Sequence, residues 1–206
     1  MILYKNKGKI VLSPLAWIGA CMKNIKDDVA KILLTEEEID AITTRIAEQI
    51  DRDYSGDDKK LVLVCILKGS LVFMGDLMKK VTVPVEIDCM KVSSYGVGTE
   101  STGQIHISLD LLRPDIAQCD LLIIEDIIDS GITLSHLTKY LTLKGAKSVR
   151  TCTLLDKPSR RRVQFVPDYC GVEIPDEFVV GYGLDYAEMY RALPFVGILK
   201  PEVYTK

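Results

Sequence analysis

Leu121-Leu122-Ile123-Ile124-Glu125-Asp126-Ile127-Ile128-Asp129-Ser130-Gly131-Ile132-Thr133 decides the fold. Four large apolar residues run straight into paired acids and then into a turn of small and hydroxyl-bearing residues. An unbroken apolar run too short for most helices is what a parallel strand covered on both faces requires. Leu121 to Glu125 therefore reads as a buried strand that brings carboxylates and a backbone cradle for an anion to one edge of a sheet.

Outward from this segment, strands and helices alternate. Thr35-Glu36-Glu37-Glu38 followed by Ile39, Ile42, Ile46 and Ile50 is a capping box leading into an amphipathic helix. Leu61 to Leu67 is a second continuous apolar run, read as a central strand, Leu71 to Lys80 has helical spacing, and Val85 to Val92 returns to strand. Ser93 to Gly103 is long, hydroxyl-rich and without apolar periodicity, as a mobile loop would be. Gln104 to Leu109 reads as a strand, Thr133 to Lys144 as a helix with Leu134, Leu137 and Leu141 on one side, and Ser148 to Leu155 as another strand. Phe178 to Tyr182 and Val196 to Leu199 complete the set as short strands. This alternation predicts an α/β fold with a mostly parallel sheet and a site beyond the carboxyl ends of its strands.

Composition narrows the function. The 206 residues suffice for one domain with a full core. A formal charge of -3 and a pI near 5.5 offer polyanions no general attraction, so non-specific nucleic-acid binding is disfavoured and any anion must be held locally. Cys21, Cys65, Cys89, Cys119, Cys152 and Cys170 form no C-x-x-C pair and read as small reduced hydrophobes rather than a zinc site. No apolar run is long enough to cross a bilayer. Lys5, Lys7 and Lys9 before the apolar Ile10 to Ile18 and Cys21 outline a short lipoprotein signal, but Pro14 and the brevity of the stretch speak against one. Residues 1–26 are expected to be a poorly ordered extension and residues 27–206 a single domain.

Asp129-Ser130-Gly131-Ile132-Thr133 lies between strand and helix, where free N–H groups and the positive end of the helix dipole favour an anion. Gly131 permits close backbone approach, and Ser130 and Thr133 add hydroxyl donors. The plainer alternative is that Asp129 or Ser130 only caps the helix. Neither a G-x-G-x-x-G fingerprint nor a G-x-x-x-x-G-K-[ST] loop is present, and a phosphoacceptor receiver domain would leave the hydroxyl-rich turn unexplained. Glu125 and Asp126, adjacent at a strand end, point to opposite faces and so should do different jobs. One such job is holding the hydroxyls of a sugar phosphate, directly or through Mg²⁺.

Leu121 to Leu134 resembles the phosphoribosyl-pyrophosphate motif of the type I phosphoribosyltransferases. Leu67-Lys68-Gly69-Ser70, Ser93-Ser94-Tyr95-Gly96, Leu155-Asp156-Lys157-Pro158 and Phe178 through Arg191 are similar, in the same order, to the hypoxanthine-guanine branch of that family. The resemblance runs from about Asp27 to the end of the chain. It implies a twisted, mostly parallel sheet flanked by helices, with a small hood from the chain ends. It also implies a Mg²⁺-dependent transfer from phosphoribosyl pyrophosphate to N9 of an oxopurine, in a cytoplasmic homodimer or homotetramer.

The resemblance also implies roles residue by residue. Asp129, Ser130, Gly131, Ile132 and Thr133 would cradle the 5'-phosphate, while Glu125 and Asp126 would hold the ribose hydroxyls. Asp129 would be the acid/base partner of purine N7. Lys68 and Gly69 would bind pyrophosphate, often beside a cis peptide; Ser94 and Tyr95 would belong to a closing lid. Lys157 would donate to the purine 6-oxo group, which excludes adenine because an ammonium cannot accept a hydrogen bond. Phe178 would stack on the base and Val179 read its edge. Asp185 would lie near the exocyclic position and the metal, making Glu125, Asp126 and Asp185 the metal set, and Arg191 would clamp pyrophosphate. Outside the resemblance, Lys157 reads as a surface lysine, Phe178 as core, and Asp185 and Arg191 as surface residues.

Two positions depart from some members of the family, which have Thr at Ser130 and Lys at Ile132. The Ser130 hydroxyl survives, and Ile132 keeps only its backbone N–H. Arg160-Arg161-Arg162 reads as a solvated turn or subunit contact, and His106 and His136 match no catalytic position. A xanthine-preferring enzyme and a regulator that senses phosphoribosyl pyrophosphate are the alternatives. The second predicts a basic surface or a DNA-binding domain, of which the sequence has no sign.

Overall fold

The structure, a computed structural model, describes residues 3–6, 9–12, 25–56, 58–94 and 105–205. Strands β1 (Leu3–Asn6) and β2 (Lys9–Leu12) form an antiparallel hairpin of their own, within the extension that the sequence suggested would lack structure. Cys21 and the rest of the signal-like stretch beyond Leu12 lie outside the described residues.

From Val29 the chain alternates as the sequence predicts. The elements are β3 (Val29–Leu34), α1 (Glu36–Tyr54), β4 (Leu61–Leu67), α2 (Leu71–Lys80), β5 (Val85–Ser94), β6 (Ile105–Leu109), β7 (Asp120–Ile128) and α3 (Ile132–Leu143). They continue with β8 (Ser148–Asp156), β9 (Tyr169–Glu173), β10 (Val179–Val180), β11 (Val196–Leu199) and the one-turn α4 (Pro201–Tyr204). The main sheet has the order β6-β5-β4-β7-β8-β9 and is parallel except for the β5–β6 pair. Its central strands β4 and β7 are buried on both faces, which accounts for their unbroken apolar runs. Leu63, Leu122 and Ile124 pack with Ile46, Ile50 and Phe73 from α1 and α2; Val62, Val64, Leu121 and Ile123 pack with Leu134, Leu137 and Leu141 of α3. The alternation along each strand thus feeds two cores, one on either side of the sheet.

The capping box forms as the sequence indicates. Thr35 Oγ1 accepts the Glu38 N–H at 3.2 Å, and Glu38 Oε2 accepts the Thr35 N–H at 2.8 Å.

A second, three-stranded antiparallel sheet, β10-β11-β3, joins the first strand of the main body to the last. This is the hood drawn from the chain ends. Its first strand escaped the sequence reading because Val29–Leu34 lies mostly exposed and carries Lys31, so the period-two signal is weak. Strand β9 was missed for a different reason. Gly171 interrupts its short apolar run, yet a Cβ there would lie 2.2 Å from the Leu154 carbonyl oxygen, so the strand can pack against β8 only with glycine at that position.

Three boundaries also shift. β7 runs three residues past Glu125, so both acids stand inside the strand. The strand read at Phe178 to Tyr182 is confined to Val179–Val180, because Gly181 (φ 96°) and Tyr182 (φ 49°) turn the chain at once. Ser93 and Ser94 belong to β5, while 95–104, including Tyr95 and most of the proposed lid, lie outside the described residues.

Replacing Thr35 with Ala should cost about 1 kcal/mol. A urea midpoint lowered accordingly, with unchanged slope, is the expected result; an unaltered midpoint would show that the box contributes nothing.

Candidate active site

The carboxyl ends of β4, β7 and β8 lie level. Cys65 pairs with Ile124, and Ile128 pairs with Asp156. The loops that follow these strands therefore emerge together, and the hood loop 181–191 closes over them.

After β7 the chain turns at Gly131, whose φ of 77° suits glycine and which serves as N-cap of α3 with no side-chain cap. Helix capping thus does not account for Asp129. Ser130 Oγ accepts only the Ile132 N–H, at 3.3 Å. The turn, Glu125 and Thr133 enclose a hollow of about 120 Å³. Pockets that take a whole ligand begin near ~300 Å³, so this one fits a single group such as a phosphate, aimed at the N-terminal end of α3.

Strand alternation would send the two acids of β7 to opposite faces, yet their carboxyl groups lie close enough to interact directly. Glu125 lines the hollow, and its Oε2 is buried without a hydrogen-bond partner. Burial, followed by the neighbouring Asp126 charge, pushes its carboxyl well above the ordinary range. Asp126 is 8% exposed and accepts the Ile127 N–H at 2.8 Å. It is also pushed up by burial, with that backbone bond opposing. Its carboxylate sits against Gly69, where a Cβ would lie 1.7 Å from Asp126 Oδ2, and Gly69 in turn lies against Gly183, where a Cβ would lie 2.0 Å from the Gly69 oxygen. Two glycines thus let three segments meet, and the requirement at Gly183 was not apparent from sequence.

The peptide Leu67-Lys68 is cis. Lys68 Nζ pairs with Glu188 at 2.9 Å. Arg191 spends its fork on the Gly183 carbonyl (2.7 Å) and on Asp185 (2.7 Å), leaving its buried Nε unpartnered. The other Asp185 oxygen accepts the Glu188 N–H at 2.9 Å. Asp185 is thereby committed to the hood loop. Among the described residues no three His, Cys, Asp or Glu side chains converge to hold a metal, so Glu125, Asp126 and Asp185 do not form one protein cage.

The far end of the site is built on β8. Lys157 is only 8% exposed and donates to the Glu177 carbonyl at 2.5 Å, which overturns the reading of it as an ordinary surface lysine. Burial pulls its ammonium down, opposed by the charges of Asp129 and Asp176. Phe178 is exposed, not core. Tyr204 of α4 stacks on its ring at 4.7 Å, and Tyr186 meets its edge at 5.7 Å. Val179 is buried in β10.

The arginine run is a solvated turn only at Arg160 and Arg162. Arg160 Nε lies 2.9 Å from Asp129 Oδ1, an ion pair not aligned as a hydrogen bond. Arg161 is partly buried and binds Asp156 and the Asp129 carbonyl. Nothing in the spacing of the run distinguishes Arg161, because its partners come from other strands.

The phosphoribosyl transferase domain family matches the chain over residues 29–187. Together with the sheet topology and the turn after β7, this establishes the class: the chain belongs to the phosphoribosyltransferase family. Within it, the chain is 51% identical to the hypoxanthine-guanine phosphoribosyltransferase of Staphylococcus aureus (strain Mu50) over 179 residues, 87% of this chain and 98% of that one. The crystal structure of a hypoxanthine phosphoribosyltransferase from Staphylococcus aureus superposes with a TM-score of 0.84 at 49% identity, covering 90% of this chain and all of that one. The Trypanosoma cruzi hypoxanthine phosphoribosyltransferase in complex with its product IMP gives a TM-score of 0.80 at 41% identity, covering 86% and 98%.

Glu125 binds its proton more tightly folded than unfolded, so it favours the fold at low pH and loses that contribution as pH rises from about 4.5 through its folded pKa. Glu125→Gln should therefore melt higher than the wild type at neutral pH, with the gap closing toward pH 4.5. Equal melting temperatures across that range would contradict the assignment of a buried carboxyl crowded by the Asp126 charge.

Proposed function

We propose that the protein serves purine salvage, moving the 5-phosphoribosyl group of phosphoribosyl pyrophosphate to N9 of hypoxanthine or guanine to give IMP or GMP and pyrophosphate. The observation that carries this reading is the buried ammonium of Lys157, whose backbone N–H binds Ile128 at the edge of the phosphate-sized hollow. A buried lysine with one carbonyl partner has donors left for a ligand oxygen and no means to accept from an amino group. Such a site prefers an oxopurine to adenine.

The remaining roles are those the family resemblance implies. The turn Asp129–Thr133 takes the 5'-phosphate with Ser130, Gly131, Ile132 and Thr133, and Glu125 and Asp126 face the ribose hydroxyls. Phe178 offers the ring face not covered by Tyr204 as a stacking surface, and the Val179 backbone reads the base edge. Asp129, whose buried Oδ1 faces Arg160 with no aligned hydrogen bond, receives or returns the N7 proton as charge develops on the base. Lys68, Gly69 and Arg191 face the departing pyrophosphate, and Ser94 and Tyr95 belong to the segment that shuts out water.

Mg²⁺ fits this donor set at the orphaned Glu125 oxygen and the adjacent Asp126. With no protein cage, substrate oxygens would complete its shell. When bound, it neutralises charge on the pyrophosphate. Asp185, held by Arg191 and the Glu188 N–H, joins only by exchanging partners. Exposed Leu71 and Met78 on α2 give a homodimer or homotetramer an apolar face to bury. No helix of the described residues is long and apolar enough to cross a membrane; action in the cytoplasm is part of the same proposal.

Monophosphate formation from hypoxanthine, guanine, xanthine and adenine, with Mg²⁺ and phosphoribosyl pyrophosphate, tests the reading. Turnover of the first two is expected; failure with every base would sink it, and strong preference for xanthine would reassign the substrate. Asp129→Asn should lower kcat by ~10²–10⁴-fold with base KM little changed, and unaltered kcat would remove Asp129 from proton transfer. In Lys157→Gln, whose amide also accepts, the ratio of adenine to hypoxanthine kcat/KM should rise; an unchanged ratio would deny Lys157 its selecting role.

A further inference from the structure

We propose that Arg161 is a positioning residue that aims the backbone N–H groups of the phosphate turn. The proposal rests on reading Asp129–Thr133 as the 5'-phosphate cradle and adds the device that holds the cradle in shape.

Three successive carbonyls of the turn each receive a donor from the segment after β8. Ile128 O accepts the Lys157 N–H at 3.0 Å, Asp129 O accepts Arg161 Nη1 at 2.5 Å, and Ser130 O accepts the Arg162 N–H at 3.0 Å. In a trans peptide the carbonyl and the following N–H point in opposite directions. Anchoring these three carbonyls therefore turns the N–H groups of Asp129, Ser130 and Gly131 away from the strap. No strap residue lines the hollow, whereas all three of those turn residues do. Preset donors of this kind need no reorganisation when an anion arrives.

Two of the links are backbone bonds that any sequence could make. The middle one depends on Arg161 alone. Its other nitrogen is held by Asp156, the last residue of β8, so the fork bridges sheet and turn. Its stem is equally committed, since a Cβ on Gly131 would lie 2.9 Å from Arg161 Cδ. The guanidinium acts through the Asp129 peptide and does not itself enter the hollow. Because the same segment begins with Lys157, the strap also ties the base-selecting ammonium to the phosphate turn.

A purely structural arginine would lower stability without favouring one ligand over another. The test compares ribose 5-phosphate, which needs the cradle, with pyrophosphate, whose expected contacts lie at Lys68 and Gly69. In Arg161→Ala, calorimetry should find ribose 5-phosphate binding weakened by about tenfold or more, since a 1 Å misplacement costs up to ~10²-fold, and pyrophosphate affinity within about twofold of wild type. Added guanidinium ion should restore part of the loss. Arg161→Lys should fall between, because a lysine cannot hold both acceptors with a planar fork. Should the alanine variant not fold, the lysine variant and Asp156→Asn carry the same comparison. Ribose 5-phosphate affinity unchanged in the folded variants, or both ligands weakened alike, would overturn the proposal. Wild-type turnover measured in parallel separates the two readings. Turnover with no selective loss removes only the role of Arg161, and binding of ribose 5-phosphate without turnover removes only the transferase reading.

Discussion

Charge at the carboxyl edge of the sheet, kept away from water, is the constraint on which the site depends. Glu125, Asp126 and Lys157 are all desolvated there, and each has its pKa moved by burial. Burying an ionisable group is costly unless it is paired, and Glu125 has no hydrogen-bond partner for its inner oxygen. Such an arrangement persists because the central strands of the sheet are apolar on both faces and supply the compensating burial. The two-sided core is thus what permits a strand to carry an acid with an unsatisfied oxygen near its end.

Close backbone approach brings the other segments to that edge. Gly69 and Gly183 stand in one line with Asp126, and at each of them a side chain would run into its neighbour. The hood is therefore docked on the Lys68-Gly69 loop through main-chain contact. Arg191, Asp185, Glu188 and Lys68 then link the two loops by charge. Exposed pairs of this sort contribute little to stability. Their consequence is organisational: the groups expected to meet pyrophosphate already hold one another, so a ligand must take over their bonds rather than add to them.

The sequence made the sheet legible because its central strands carry strong local signals. Leu61–Leu67 and the segment around Leu121 are buried on both faces and need no partner to be recognised, and Thr35 with Glu38 announces a helix unaided. Elements whose logic lies elsewhere were not legible. Gly171 looks like a strand breaker until the Leu154 carbonyl is placed beside it, and Val29–Leu34 becomes a strand only through its pairing with Val196–Leu199. The site divides in the same way. Lys68, Asp129 and Lys157 stand in motifs at strand ends, whereas Gly183, Tyr204 and Arg161 are defined by contacts across long stretches of chain.

The Arg160-Arg161-Arg162 run shows why residue type alone misleads here. Three consecutive arginines on a polar segment suggest a solvated surface, and Arg160 and Arg162 are indeed exposed. Arg161 differs because the β7–β8 register sets Asp156 level with Ile128, which leaves an anionic side chain and a free turn carbonyl within reach of one guanidinium. A planar fork can bind both at once. The strand register thus creates these contacts, and the short segment from Lys157 to Arg162 ties the proposed base site to the proposed phosphate site. Proximity of that kind serves a displacement reaction, in which the reacting centre must lie in line between nucleophile and leaving group before any bond changes.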